Sequence, residues 1–278
     1  MQPWICVFCG NEFPASASPP DRCPICDDDR QWVPVSGPSW TRLDGNADNT
    51  LTATEAEPGL TRLSLRPSVG IGQQGFVVTR PAGNILWEPP GFIGPSLVDW
   101  LERNGGVAAI AASHPHLVGA SISLSHRFGR VPVFYNDLDR RWVTRPDPVL
   151  EFWSGSAEVL DGVRIVQCGG HFPGSGVLHL PNAADGRGAL LTGDTIKGVL
   201  QPGMVTFMRS YPNMIPLSPR LVRQIVDRVT DLRFDRLYDA FGVVVEKDAR
   251  AVVESSAQRY IGWVTDEIVD PDDPHSPR

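Results

Sequence analysis

Four of the five cysteines fall within the first 26 residues, as Cys6-x2-Cys9 and Cys23-x2-Cys26. Nothing else in the chain constrains its folding as tightly. Each CxxC closes a tight turn that aims two thiolates at one point, and two such turns complete a tetrahedron around a soft metal ion. Turn-forming residues flank both pairs: Gly10 follows Cys9, Pro19-Pro20-Asp21-Arg22 leads into Cys23, and Pro24 lies inside the second pair. Residues 1–37 carry few large apolar side chains and cannot build a core of their own. The unit should therefore depend on its ion, with the rest of the chain folding without it. Four thiolates leave no open position, so the ion's role is structural, or electron transfer if it is iron.

Cysteines paired in this way, rather than spread along the chain, point to a reducing compartment. Met1 to Cys6 lacks a basic region followed by an apolar run, so no signal peptide is expected. No stretch approaches the roughly 18 to 20 apolar residues of a membrane span. The expected location is the cytoplasm, with no membrane partner. A net charge of −7 repels a phosphate backbone, which disfavours nucleic acid as a partner.

Residues 38–58 are polar and turn-rich and read as a linker or a surface crossing; 59–266 form one large domain; 267–278, acidic with three prolines, read as a loose tail. Within the large domain the apolar pattern predicts strands near 61–65, 75–79, 84–87, 107–112, 163–166, 176–180, 189–192 and 236–238. Helical spacing predicts helices near 95–101, 219–232 and 248–265.

Three of six histidines fall where a metal site wants them. Ser113-His114-Pro115-His116 follows an apolar strand, and on extended backbone residues i and i+2 project to one side. Gly169-Gly170-His171 puts a third imidazole in a glycine-rich loop after the next strand, and Thr192-Gly193-Asp194 ends another with a carboxylate. Three histidines with an open fourth position are a donor set with which zinc activates water near neutral pH. Asp194 could complete the ligand set or act as the catalytic base.

The first segment resembles rubredoxin-like and zinc-ribbon knuckles, notably in Cys6-x2-Cys9-Gly10 and Cys23-Pro24-x-Cys26, which implies zinc there, with iron as the alternative. Residues 59–266 resemble the metallo-β-lactamase superfamily. That resemblance implies an α/β four-layer αββα sandwich, with His114, His116 and His171 as the first metal site and Asp194 as the bridging carboxylate. The chain departs from the family where second-site ligands belong. Val118 and Gly119 replace the Asp-His of the first loop, Phe241 stands at the final histidine, and Glu88-Pro89-Pro90-Gly91 loosely matches an early Asp-Thr-Gly. At most one ion, zinc or another divalent metal, is expected in the main site.

The remaining candidates have plainer readings. His126 belongs to a helix surface, His179 to a strand, His275 to the tail, and Cys168 to the core as a small hydrophobe. Segments 202–208 and 211–215 either overhang the metal or pack on the body. The implied function is a mononuclear zinc-dependent hydrolase acting on a small molecule. The alternatives are a non-catalytic metal-binding protein, or an iron-dependent oxidoreductase fed with electrons through the knuckle.

Overall fold

Alternation along the central strands sets the layers of the computed structural model, which describes residues 1–43 and 49–274. Successive side chains of a strand face opposite ways. Phe76, Val78, Ile85, Trp87, Ala109 and Ala111 therefore face one side of a seven-stranded sheet, while Val77, Leu86 and Ile110 face the other. The first set meets Ile165, Leu178, Leu180, Leu191 and Tyr238 of a six-stranded sheet, which closes the central core. The second set is covered by Leu97 and Leu101 of the helix Pro95–Arg103 and by Ile122 and Leu124 of Ser121–Arg127. On the far side, Val166, Val177, Leu190 and Leu237 lie under Val222, Ile225 and Val229 of Pro219–Thr230 and Val253, Ala257 and Ile261 of Ala249–Val264. Helix, sheet, sheet, helix: this is the four-layer metallo-β-lactamase-like sandwich.

The seven-stranded sheet runs, edge to edge, Leu150–Trp153, Val133–Asn136, Ala109–Ala111, Gly83–Trp87, Gly75–Arg80, Leu60–Arg66 and Thr50–Glu57. The other runs Ser156–Leu160, Val163–Gln167, Gly176–Leu180, Ala189–Leu191, Arg236–Tyr238 and Val244–Val245. Gly83–Trp87 is parallel to Ala109–Ala111, and Ala189–Leu191 to Arg236–Tyr238, so the loops after these strands gather at one rim. The Gly176 amide donates to the Ser113 carbonyl at 2.8 Å and ties the two sheets there. Ligand sites of α/β sheets form at such carboxyl ends.

Two expectations change. The stretch 38–58 holds strands where a linker or a surface crossing was expected: Trp40–Arg42 pairs with Trp4–Cys6, and Thr50–Glu57 forms an edge of the large sheet against Leu60–Arg66. Turn-rich composition hid Thr50-Leu51-Thr52-Ala53, which alternates as a half-exposed edge strand does. The acidic end is also partly docked, since the Ile268 amide donates to the Gly262 carbonyl at 2.9 Å. His275 lies outside the described residues. Among the described residues no helix is long and apolar enough to cross a membrane.

Candidate metal centres

The four cysteines come together as their spacing requires. Cys6, Cys9, Cys23 and Cys26 are all buried, with their sulfurs within 4.8 Å of one another. Cys6 and Cys26 stand 3.6 Å apart, and Cys9 and Cys23 3.7 Å. Four sulfurs each about 2.3 Å from one ion lie about 3.8 Å apart in a tetrahedron, so the donor set fits a thiolate-bound metal. All four are free of disulfides.

The second cluster is built at the rim. His114, His116, His171 and Asp194 are buried and each offers a ligand atom, all within 4.8 Å of one another. Their rings stand edge to face, with centroids 4.7 to 5.4 Å apart. The backbone delivers the first pair differently from the extended geometry expected. His114 is extended, but Pro115–Leu117 is a 3-10 turn, with proline at its first position where φ is already set. The turn, not strand alternation, returns His116 to the ring of donors.

The Nε2 atoms of His114, His116 and His171 and Oδ1 of Asp194 are buried without a hydrogen-bond partner among the described residues. Each such atom costs about 1–3 kcal/mol when left unsatisfied, and four of them converging is the signature of a cation site. Two of the outward ring nitrogens are held. Nδ1 of His171 donates to the Met208 carbonyl at 3.0 Å. Nδ1 of His114 lies 2.8 Å from Ser113 Oγ, whose proton goes to Glu88 Oε1 at 2.7 Å. Such outer partners fix the tautomer that leaves Nε2 free to ligate. Burial, first of all, holds the three imidazoles below their usual range, so they are neutral and keep their lone pairs.

The places of the missing ligands are filled. Gly119 has φ +55°, and a side chain there would run into the carbonyl oxygens of Pro89 and Pro90, so no histidine fits. Phe241 lines the pocket, and the Lys197 ammonium lies 3.2 Å from its ring centroid. Lys197 Nζ is also 3.5 Å from Asp194 Oδ1, close enough for ion pairing though not aligned as a hydrogen bond. A fixed positive charge thus sits between the carboxylate and the aromatic ring. Glu88, fully buried, is pushed up to about 8, chiefly by burial, with the Ser113 hydrogen bond acting the other way.

The N-terminal unit does not stand apart. Phe172, next to His171, packs in one apolar cluster with the four cysteines, Phe13, Ile25 and Trp142. The Arg30 guanidinium lies 4.4 Å over the Phe172 ring and donates to the His171 carbonyl at 2.5 Å. Glu12 accepts from the Ile122 and Ser123 amides at 2.5 and 3.1 Å and from Arg145 at 2.5 Å. Gly10 and Gly91 touch backbone to backbone, leaving no room for a Cβ on Gly91. The sequence could not give these contacts, because Arg30 and His171 are far apart in the chain. Lys197 left a faint signal, being one of only two lysines and three residues past Asp194.

A cavity of about 330 Å³ opens on His116, His171 and Asp194. Segment 202–208 divides from 211–215: Val205 and Phe207 are core, whereas Tyr211 and Pro212 line the cavity. The Tyr211 hydroxyl donates to the Asp194 carbonyl at 3.1 Å. The other histidines lie elsewhere. His126 is 3.0 Å from Asp147 on the surface, and His179 meets the Arg233 carbonyl at 2.9 Å. Cys168 is buried in the outer core, its thiol pushed up to about 12 by burial.

No family model matches the chain. It is 36% identical over 274 residues, 96% of this chain and 99% of the relative, to YmaE of Bacillus subtilis (strain 168), an uncharacterized protein. Among solved structures, VMB-1 superposes with a TM-score of 0.57 at 18% identity, covering 77% of this chain and 98% of that one. The metallo-β-lactamase FIM-1 from Pseudomonas aeruginosa, in a mono-zinc form, gives 0.53 at 14% identity, over 76% and 96% of the two chains.

Proposed function

The chain belongs to the family of Bacillus subtilis YmaE and has the metallo-β-lactamase fold, and from that premise we propose that it is a metal-dependent hydrolase with a mononuclear site. The observation that carries this reading is the set of four buried atoms, on His114, His116, His171 and Asp194, that make no hydrogen bond among the described residues. The three neutral imidazoles would hold one divalent ion, with zinc the best match to the donor set. Bound there, the ion supplies Lewis acidity that polarises an oxygen and makes water nucleophilic near neutral pH. Asp194, whose Oδ1 faces Lys197 but makes no hydrogen bond, is placed to complete the ligand set or to take the proton of the attacking water. Lys197, beside Asp194, offers a positive charge to oxygen that gains negative charge as the bond breaks. The cavity of about 330 Å³ suits a small molecule.

Asp194→Asn keeps size but removes the charge and the basic oxygen pair. It should lower turnover roughly 10²- to 10⁴-fold with a smaller change in KM, measured on esters, thioesters, lactams and phosphodiesters. His116→Ala should abolish the same activity together with the site's ion; undiminished turnover in that variant contradicts the assignment.

A second reading, electron transfer from iron in the four-cysteine unit, is favoured by one observation. Phe172 packs against the cysteine cluster and lies within 5.5 Å, centroid to centroid, of all three histidine rings. A red protein with thiolate-to-iron absorption supports it, and a colourless zinc protein removes it.

A further inference from the structure

The cavity over the histidine site is not walled by the sandwich alone. Phe8, Arg30, Gln31 and Trp32 of the N-terminal unit line it together with Tyr211, Pro212 and Phe241. Phe8 sits inside the first CxxC loop and Trp32 six residues past Cys26, so both are carried by the cysteine cluster. Their rings touch, with centroids 6.2 Å apart at 46°. Trp32 is 52% exposed although tryptophan gains much from burial. The chain from Asp28 to Trp32 is clamped on its other side. The Asn213 side chain donates to the Asp29 and Gln31 carbonyls at 2.9 and 3.0 Å, and Ser210 Oγ to the Arg30 carbonyl at 3.1 Å. Arg30 is held by Asp28 at 2.5 Å and by the His171 carbonyl.

The geometry points to the four-cysteine unit as part of the substrate site: Phe8 and Trp32 form an aromatic wall, positioned by the unit's ion, that takes an aromatic group of the substrate. This rests on the reading of the histidine cavity as a substrate pocket. Two flat rings presented at the mouth, with Ile71, Pro212 and Phe241 nearby, favour an aryl group by stacking and by area. A segment this short and this poor in core residues keeps its shape only while its ion is bound. Loss of that ion should therefore misplace the wall without removing a single ligand of the histidine site.

The test uses the metal-loaded protein and 2-naphthoate as probe, with acetate as the small counterpart, and reads binding rather than turnover. Naphthoate should bind the wild type well above acetate. Trp32→Ala and Phe8→Ala should each raise its Kd about tenfold while acetate is unaffected, and Trp32→Phe should recover most of the loss. Cys23→Ser should lose one ion, keep the other and weaken naphthoate equally. In the cobalt(II)-loaded wild type, which requires no variant to fold, naphthoate should shift the thiolate-to-cobalt absorption of the cysteine site. An unchanged Kd in both aromatic variants overturns the wall, and an unmoved cobalt band overturns its coupling to the ion. Aryl esters cleaved no faster than acetyl esters, with Trp32→Ala neutral, sink this proposal and leave the hydrolase reading standing. Naphthoate bound as expected, with no bond cleaved in any substrate, does the reverse.

Discussion

Single residues carry the electrostatics of the histidine site, and Glu88 is the clearest test of them. It lies fully buried behind Ser113 and His114, with its pKa raised to about 8. Because the folded protein holds this proton more tightly than the unfolded chain, the group stabilises the fold at low pH. That contribution is lost as pH rises from about the ordinary carboxylate value of 4.3 through 8. In metal-free protein, Glu88→Gln should remove this dependence, so the variant gains on the wild type by at most about 1.4 kcal/mol per pH unit across that window. Urea unfolding of both at pH 5.5 and 8.5 measures the difference; parallel pH profiles contradict the assignment. The three histidines act in the opposite sense. Their depressed values mean that stability present above about 6.5 is lost as pH falls. The histidines and Asp194 were legible in the sequence because ligand chemistry restricts residue type and strand ends restrict position. Glu88 was legible only as a loose motif, since its work depends on Ser113, which the chain brings beside it through a parallel strand pair.

At the level of elements, the first histidine loop leaves no room for a histidine at position 119. Pro115–Leu117 turns as a 3-10 helix, and Gly119, at φ +55°, lies against the Pro89 and Pro90 carbonyls. Placing Asp at 118 and His at 119 should therefore not restore a second ion. Gly119→Ala alone should destabilise the fold by about 2 kcal/mol or more, through positive φ and the clash together. Denaturant unfolding and metal content of Gly119→Ala check this. A variant as stable as the wild type would show that the Pro89–Pro90 backbone yields. From sequence, the loss of ligands was visible at Val118 and Gly119; the steric reason was not, because Pro89 is thirty residues away.

Over the whole molecule, the apolar pattern marked individual strands and helices, such as Gly75–Arg80, whose Phe76 and Val78 face one core and Val77 the other, while the four layers followed only from the resemblance. Neither could show that the N-terminal unit docks on the body. That docking rests on Glu12, Arg30 and Asn11, polar residues in no recognisable pattern, whose partners lie more than 100 residues on. Cys9→Ser or Cys23→Ser should consequently do more than loosen residues 1–37. Hydrogen exchange should rise also around Phe172 and in residues 208–213, which a freely attached unit would leave protected.

The central claim is that two separate donor sets each hold one ion. Elemental analysis of the purified wild type, His116→Ala and Cys23→Ser tests it directly. The expected result is two ions per chain in the wild type and one in each variant, the survivor in Cys23→Ser being the ion that supports hydrolysis. Three ions in the wild type, or two retained in His116→Ala, would contradict it.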